Sequence, residues 1–386
     1  MALAEAVPAD TFTSLAAKAE AARDSNRLDE ASSFYRRALA LRSSWKDGWW
    51  SLGTIYYDRD QYGEAVSAFR HLLEIDPKNG TGYAMLGLCE FELGQDALAL
   101  HDIQIGLRLG LLTDDALRKV VLYHEGTLLL RQARFGSAQD ALSLLASYGV
   151  REDQLALALG MAVLSITPQN LPTGSKERGI VLWAGRAETL GAQKDVDQGE
   201  KIYAGLVAEA PVFPNLHYAY GRYLLLAHQP DKAVAEFQQE IKNNPRHTHS
   251  YLYIAAIRYR LDSADGVKYA ADAVRLDPAL PFGHYVLGLL YADTHEYTKA
   301  IPELELAAKQ MNRRPDIYYA LGNAYARVGR DQDAIRAREM FRRLSAETDG
   351  KDGPNIYGDN PPVRIDAAGA QDKQRVANRE DGNQRP

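Results

Sequence analysis

His124 and Glu125 open like the zinc-protease pattern His-Glu-x-x-His, but Leu128 stands where the second histidine belongs. Without that imidazole one turn further along, the pair lacks a second zinc ligand. His217, His249 and His284 fall at related places along the chain, with His247 near the second of them. Stacking would bring some of them together as metal ligands. The plainer reading is that they fill aromatic packing positions. The single cysteine, Cys89, excludes an intramolecular disulfide and any multi-cysteine metal site, and it reads as a packed thiol. No Gly-x-Ser-x-Gly elbow is present, and no glycine-rich phosphate loop joins a strand to a helix. Asp114-Asp115 reads as a helix start, where carboxylates meet the positive end of the helix dipole. The expectation is a non-enzymatic protein with no catalytic residues, no metal and no cofactor.

The chemistry that remains is recognition by aromatic and cationic side chains, and a repeated unit positions them. Its clearest copy runs from Lys46 to Asn79. Numbered from 1 to 34, it places Trp49 at 4, Leu52 at 7, Gly53 at 8 and Tyr56 at 11. These share one face of a first helix. Ala65 at 20, Phe69 at 24 and Leu72 at 27 do the same on a second helix. Gly53 and Ala65 are small where the helices cross. Asp60-Gln61-Tyr62 makes the turn, and Pro77 marks the exit because it cannot sit inside a helix.

This pattern resembles the tetratricopeptide repeat, a helix–turn–helix unit that buries its apolar face only when stacked. The resemblance implies an all-α fold: an α-solenoid, a right-handed superhelix of stacked helix–turn–helix repeats. Copies fall at 12–45, 46–79, 80–113 and 119–152, then at 180–213, 214–247, 248–280, 281–314 and 315–345. Residues 1–11 form a lead-in. Lobe one spans 12–166 and includes one apolar helix, 153–166, without a partner. Residues 167–179 hold two prolines and two glycines and read as a loop joint between lobes. Lobe two spans 180–345. In its last helix Arg338 replaces the usual apolar residue, as suits a face that meets water. Residues 346–386 hold only four residues of the types Ile, Leu, Val and Phe and read as a disordered tail.

The resemblance also implies a concave groove lined by positions 2, 5, 9 and 12 of the first helices, which takes an extended peptide or protein segment. Those positions supply Trp50, Tyr57, Phe91, Tyr123, Tyr218, Arg222, Tyr259, Tyr285, Tyr319 and Asn323 as the expected site. Arg260 and Arg327 add positive charge nearby. The alternative for the aromatics is packing between neighbouring repeats. Related proteins that clamp a chaperone's terminal carboxylate need Lys at position 5 with Asn at position 9. Here Asn323 stands beside Tyr319, so that clamp is absent.

The expected function is a protein–protein interaction scaffold. The alternative is a structural subunit of a cell-envelope or secretion assembly that uses its convex face or tail. A net charge of -6 argues against nucleic acid as partner. No apolar run is long enough to span a membrane. Ala2-Leu3-Ala4 has the small-x-small form of a cleavage site, so a soluble cytoplasmic protein and one exported behind a clipped signal both fit. The partner's identity and the oligomeric state are not encoded in any motif.

Overall fold

In five hairpins a glycine on the first helix faces a large side chain sixteen residues later on the second. A Cβ on Gly53 would lie 2.8 Å from the Phe69 ring, and one on Gly87 would lie 2.8 Å from Ile103. The same clash joins Gly126 to Leu142, Gly221 to Phe237 and Gly288 to Leu304, at 2.5 to 2.6 Å. The missing side chain is what lets the two helices of a unit close on one another. Ala19 with Tyr35 and Ala187 with Tyr203 hold the same places, and all four are fully buried.

The computed structural model describes residues 11–111, 115–171 and 173–348, and these contain nineteen α-helices and no strand. The first of two compact units ends at Val150. Its hairpins are α1 (Phe12–Asp24) with α2 (Leu28–Leu41), α3 (Lys46–Asp58) with α4 (Tyr62–Ile75), α5 (Gly80–Glu92) with α6 (Asp96–Leu109), and α7 (Asp115–Arg131) with α8 (Phe135–Ser147). Asp115 does lie in the first turn of its helix. Asp114 lies outside the described residues, as do 1–10 of the lead-in and 349–386 of the expected tail.

The second unit begins at Arg151. It opens with α9 (Asp153–Val163) against α10 (Glu177–Ala192), and continues with α11 (Val196–Glu209), α12 (Leu216–Leu226) and α13 (Pro230–Asn243). Then come α14 (Thr248–Arg258) with α15 (Ser263–Leu276), α16 (Pro281–Asp293) with α17 (Tyr297–Gln310), and α18 (Pro315–Arg327) with α19 (Asp331–Thr348). The last helix therefore runs three residues past the expected boundary at 345.

The sequence reading is corrected at α9. That helix has a partner, and the partner is downstream. A Cβ on Gly185 of α10 would lie 1.6 Å from the Ala156 carbonyl oxygen of α9, and one on Gly160 would lie 1.8 Å from that of Val181. Backbone meets backbone at both points. The stretch 167–179 therefore connects two helices of one hairpin, with a 3-10 turn at Pro168–Asn170. The boundary between units falls at Val150/Arg151 rather than in that loop. A change of pairing register is invisible when only repeats of one length are sought.

Two glycine substitutions separate packing from propensity. Gly185→Ala has no flexible neighbour to displace, and thermal unfolding should show a loss of about 1–3 kcal/mol. Gly205 lies in α11 with open space around its Cα. Gly205→Ala should gain about 0.5–1 kcal/mol in the same experiment, because it only removes backbone freedom from the unfolded chain.

Candidate functional site

The first helices of the last three hairpins stand side by side: α14 touches α16, and α16 touches α18. They enclose a cavity of about 500 Å3 lined by Tyr259, Arg260, Leu289, Asp293, Tyr297, Tyr319, Asn323, Arg327 and Arg338, among others. Three residues expected from sequence, Tyr259, Tyr319 and Asn323, therefore meet in one place. Tyr319 leaves 46% of its surface open and leans on Phe341, with ring centroids 5.5 Å apart.

The charge in this cavity is unbalanced. The Arg260 guanidinium sits 5.1 Å above the Tyr259 ring, and that of Arg327 lies 5.9 Å from the Tyr297 ring. Among the described residues, Arg260, Arg327 and Arg338 make no ion pair, whereas nearby Arg258, Arg314 and Arg330 pair with Asp265, Asp316 and Glu305. The acids of the wall are already engaged. Asp293 accepts the Ser263 hydroxyl at 2.6 Å, and Ser263 in turn accepts the Arg260 N–H at 2.9 Å, which fixes the turn after α14. Asp316 accepts the Tyr285 hydroxyl at 2.7 Å and pairs with Arg314 at 2.5 Å.

Arg338 owes its place to the packing rule. It occupies the slot that Phe69 and Phe237 fill in their hairpins, sixteen residues after Gly322. Its Cγ lies 3.1 Å from where a Gly322 Cβ would be, so the aliphatic stem covers the glycine while the head lines the cavity. Arg338 is exposed, as expected of a face that meets water, and it also lines the cavity.

Tyr285 requires a correction. It is 1% exposed, and its phenol is held against Asp316 below the cavity floor. Burial first, then the Asp316 charge, push that phenol far above its usual range. It braces Asp316, which lines the cavity, and is not itself part of the lining. Tyr218 and Arg222, on α12, lie 5.8 Å apart and outside this lining. Arg222 is drawn inward, and its Nε is buried without a hydrogen-bond partner in the structure.

In the first unit the expected residues are half-buried and spread over local contacts. Trp50 meets Phe69 edge-on at 5.7 Å, and Tyr57 meets Tyr62 at 5.7 Å. Phe91 and Tyr123 both reach His124, at 4.5 and 5.8 Å. His124 itself bonds the Val120 carbonyl one turn back, and Glu125 accepts from Gln104. Cys89 is buried, which pushes its thiol up to about 12.

The histidines have a structural task that their residue type hides. His217 faces the Pro211 carbonyl through Nε2 at 2.9 Å and Glu236 through Nδ1 at 2.6 Å. His284 repeats this with Pro278 at 2.9 Å and Glu303. Trp49, Tyr251 and Tyr318, at the same position of their units, donate to the carbonyls of Ser43, Pro245 and Asn312. In every case the acceptor lies six residues upstream. In these five units position 4 is therefore a hydrogen-bond donor to the preceding connection, more than the packing slot expected from sequence. No group of three metal-binding side chains occurs among the described residues.

Two histidines near one another titrate in opposite directions. The bond to Glu236 raises His217 above its usual value despite burial. Burial, then the charge of His249, lower His247 to about 4. Neutral His247 accepts the Ser250 N–H at 3.2 Å and so caps α14, the helix that carries Tyr259 to the cavity.

The helical hairpins, their crossing glycines and the cavity across three first helices define a stacked-repeat scaffold of the α-solenoid class. Two family models described as tetratricopeptide repeat match residues 12–44 and 47–79, which are the first two hairpins. These two hairpins are tetratricopeptide repeats, and proteins built from such repeats generally mediate protein–protein interactions and are typically non-catalytic scaffolds. No curated protein sequence matches this chain. Among solved structures, MamA from Desulfovibrio magneticus RS-1 is 17% identical, over 44% of this chain and 97% of that one, with a TM-score of 0.41. Yeast Tom70 is 14% identical over 87% of this chain and 84% of its own, with a TM-score of 0.35. Cut9–Hcn1 of the APC/C is 10% identical over 88% of each chain, with a TM-score of 0.38.

The lowered His247 sets a sign for acid stability. Unfolded histidine binds its proton near pH 6.5. Folded His247 resists until about pH 4. The contribution is therefore complete above the unfolded value and is lost as pH falls from about 6.5 to about 4. In denaturant titrations, His247→Gln should lose less stability than the parent between pH 7 and 4.5.

Proposed function

We propose that the second unit binds an extended, carboxylate-bearing segment of a protein partner across α14, α16 and α18. The carrying observation is one cavity that combines the open Tyr319 ring with three arginines that make no ion pair among the described residues. Arginine forks suit carboxylates, and tyrosines give a rigid flat surface with a polar tip. Asn323 adds an exposed amide able to hold a peptide backbone, as an extended ligand requires. Tyr285 and Asp316 hold the floor in place beneath these groups. The halves of the expected site on α3, α5, α7 and α12 are no part of this reading.

The test is affinity capture with the full chain from native extract, wild type beside Tyr319→Ala/Arg327→Glu. Capture should weaken about tenfold or more, while far-UV circular dichroism stays unchanged because both side chains are largely open. A partner retained equally by both chains would remove the cavity as its site.

A further inference from the structure

Arg222 on α12 lies outside the lining of the cavity above, and its charge is unmatched among the described residues. We propose that Arg222 and the Tyr253 hydroxyl form a second binding site, between α12 and α14, for a single carboxylate group.

Two orphaned groups supply the first argument. The Arg222 Nε and the Tyr253 hydroxyl are both sealed from solvent, and neither has a hydrogen-bond partner among the described residues. Burying a polar group is costly unless it is hydrogen-bonded, and burying a charge costs most. Both groups border one ring. The Arg222 guanidinium lies 5.8 Å from the centre of the Tyr218 ring, and Tyr253 meets that ring edge-on at 5.7 Å. Tyr253 is fully buried and stacks on Phe237 at 4.9 Å, which fixes where its hydroxyl stands. Arg222 and Tyr218 are only half-buried, so the site keeps a way in.

Charge supplies the second. Arg222 makes no ion pair among the described residues, although Glu188 and Tyr203 are close enough for their charges to act on it. Glu188 is engaged elsewhere and accepts the Tyr203 hydroxyl at 2.7 Å. Glu240 is engaged too: its two oxygens accept the backbone N–H groups of Asn215 and Tyr218, at 3.3 and 3.2 Å. One unmatched positive charge calls for one negative charge. The orphaned groups are an N–H and an O–H, and both can donate to the same ligand. A planar carboxylate accepts Nε–H and a neighbouring Nη–H side by side and keeps lone pairs for a phenol. That carboxylate can belong to a free small acid or to an acidic side chain of a bound protein segment.

NMR on the full, isotope-labelled chain tests this. The Nε–H resonance of Arg222, assigned by its loss in Arg222→Lys, is followed as sodium acetate is added at constant ionic strength. Its shift should saturate, whereas that of exposed Arg246 should drift without saturating. Tyr253→Phe keeps the ring on Phe237 and removes one donor, so half-saturation should need about tenfold more acetate. Arg327→Glu, in the other cavity, should leave the titration unchanged. A drift of Arg222 no different from that of Arg246 would overturn the site. An unaltered titration in Tyr253→Phe would remove the hydroxyl from it. Loss of saturation with Arg327→Glu would overturn a separate site and return the ligand to the cavity.

Two further probes define the ligand. Tighter saturation by sodium phosphate than by acetate would overturn the carboxylate assignment. N-acetylaspartate amide separates the two sources. If it saturates Arg222 as acetate does, an acidic side chain of a partner is the ligand; if acetate binds and the amide is shut out, the ligand is a free small acid.

Discussion

The close crossing of two helices at a residue without a side chain is the constraint on which the rest depends. It sets which residue faces which, sixteen places apart, and therefore which side chains must be large. It also leaves the opposite side of each first helix uncommitted. In the last three hairpins that uncommitted side becomes the wall of a cavity. Where the facing slot holds arginine instead of an aromatic ring, the same geometry delivers a charge to that wall. Arg338 is thus a packing residue and, on the groove reading proposed above, a recognition residue at once.

Much of the fold was legible because its period is long and its key residues are distinctive. The hairpin from Lys46 needs only Trp49, Gly53, Ala65, Phe69 and Pro77 to declare itself. The α9–α10 pair was misread for a physical reason. Its crossing uses Gly160, Gly185 and Ala156 with backbone against backbone, so no large side chain marks the partner. An apolar helix followed by a proline-bearing loop looks like an end, although here it is the first half of a hairpin.

The site was legible only in part. Tyr259, Tyr319 and Asn323 follow from the position of groove residues in the repeat. Tyr285 has the same position as Tyr319 and differs because a neighbour, Asp316, holds its hydroxyl inside. Position alone does not show which rings are claimed by a partner. Tyr297 and Arg338 were missed because they lie on second helices, and Asp293 because it ends its first helix beyond the groove positions. A usable signal existed for Tyr297, which stands where Tyr62 stands in its own unit, at the start of a second helix.

The hydrogen bond from position 4 to the carbonyl six residues upstream has a consequence for how such a chain grows. Donor and acceptor lie on opposite sides of the connection between hairpins, yet close together in sequence. A duplicated stretch of DNA that spans one connection carries both groups with it. The new copy arrives with its joint to the preceding one already specified, whether the donor is tryptophan, tyrosine or histidine. Lengthening the array by whole units then carries the joint along, while an insertion that parts the donor from its acceptor loses that bond.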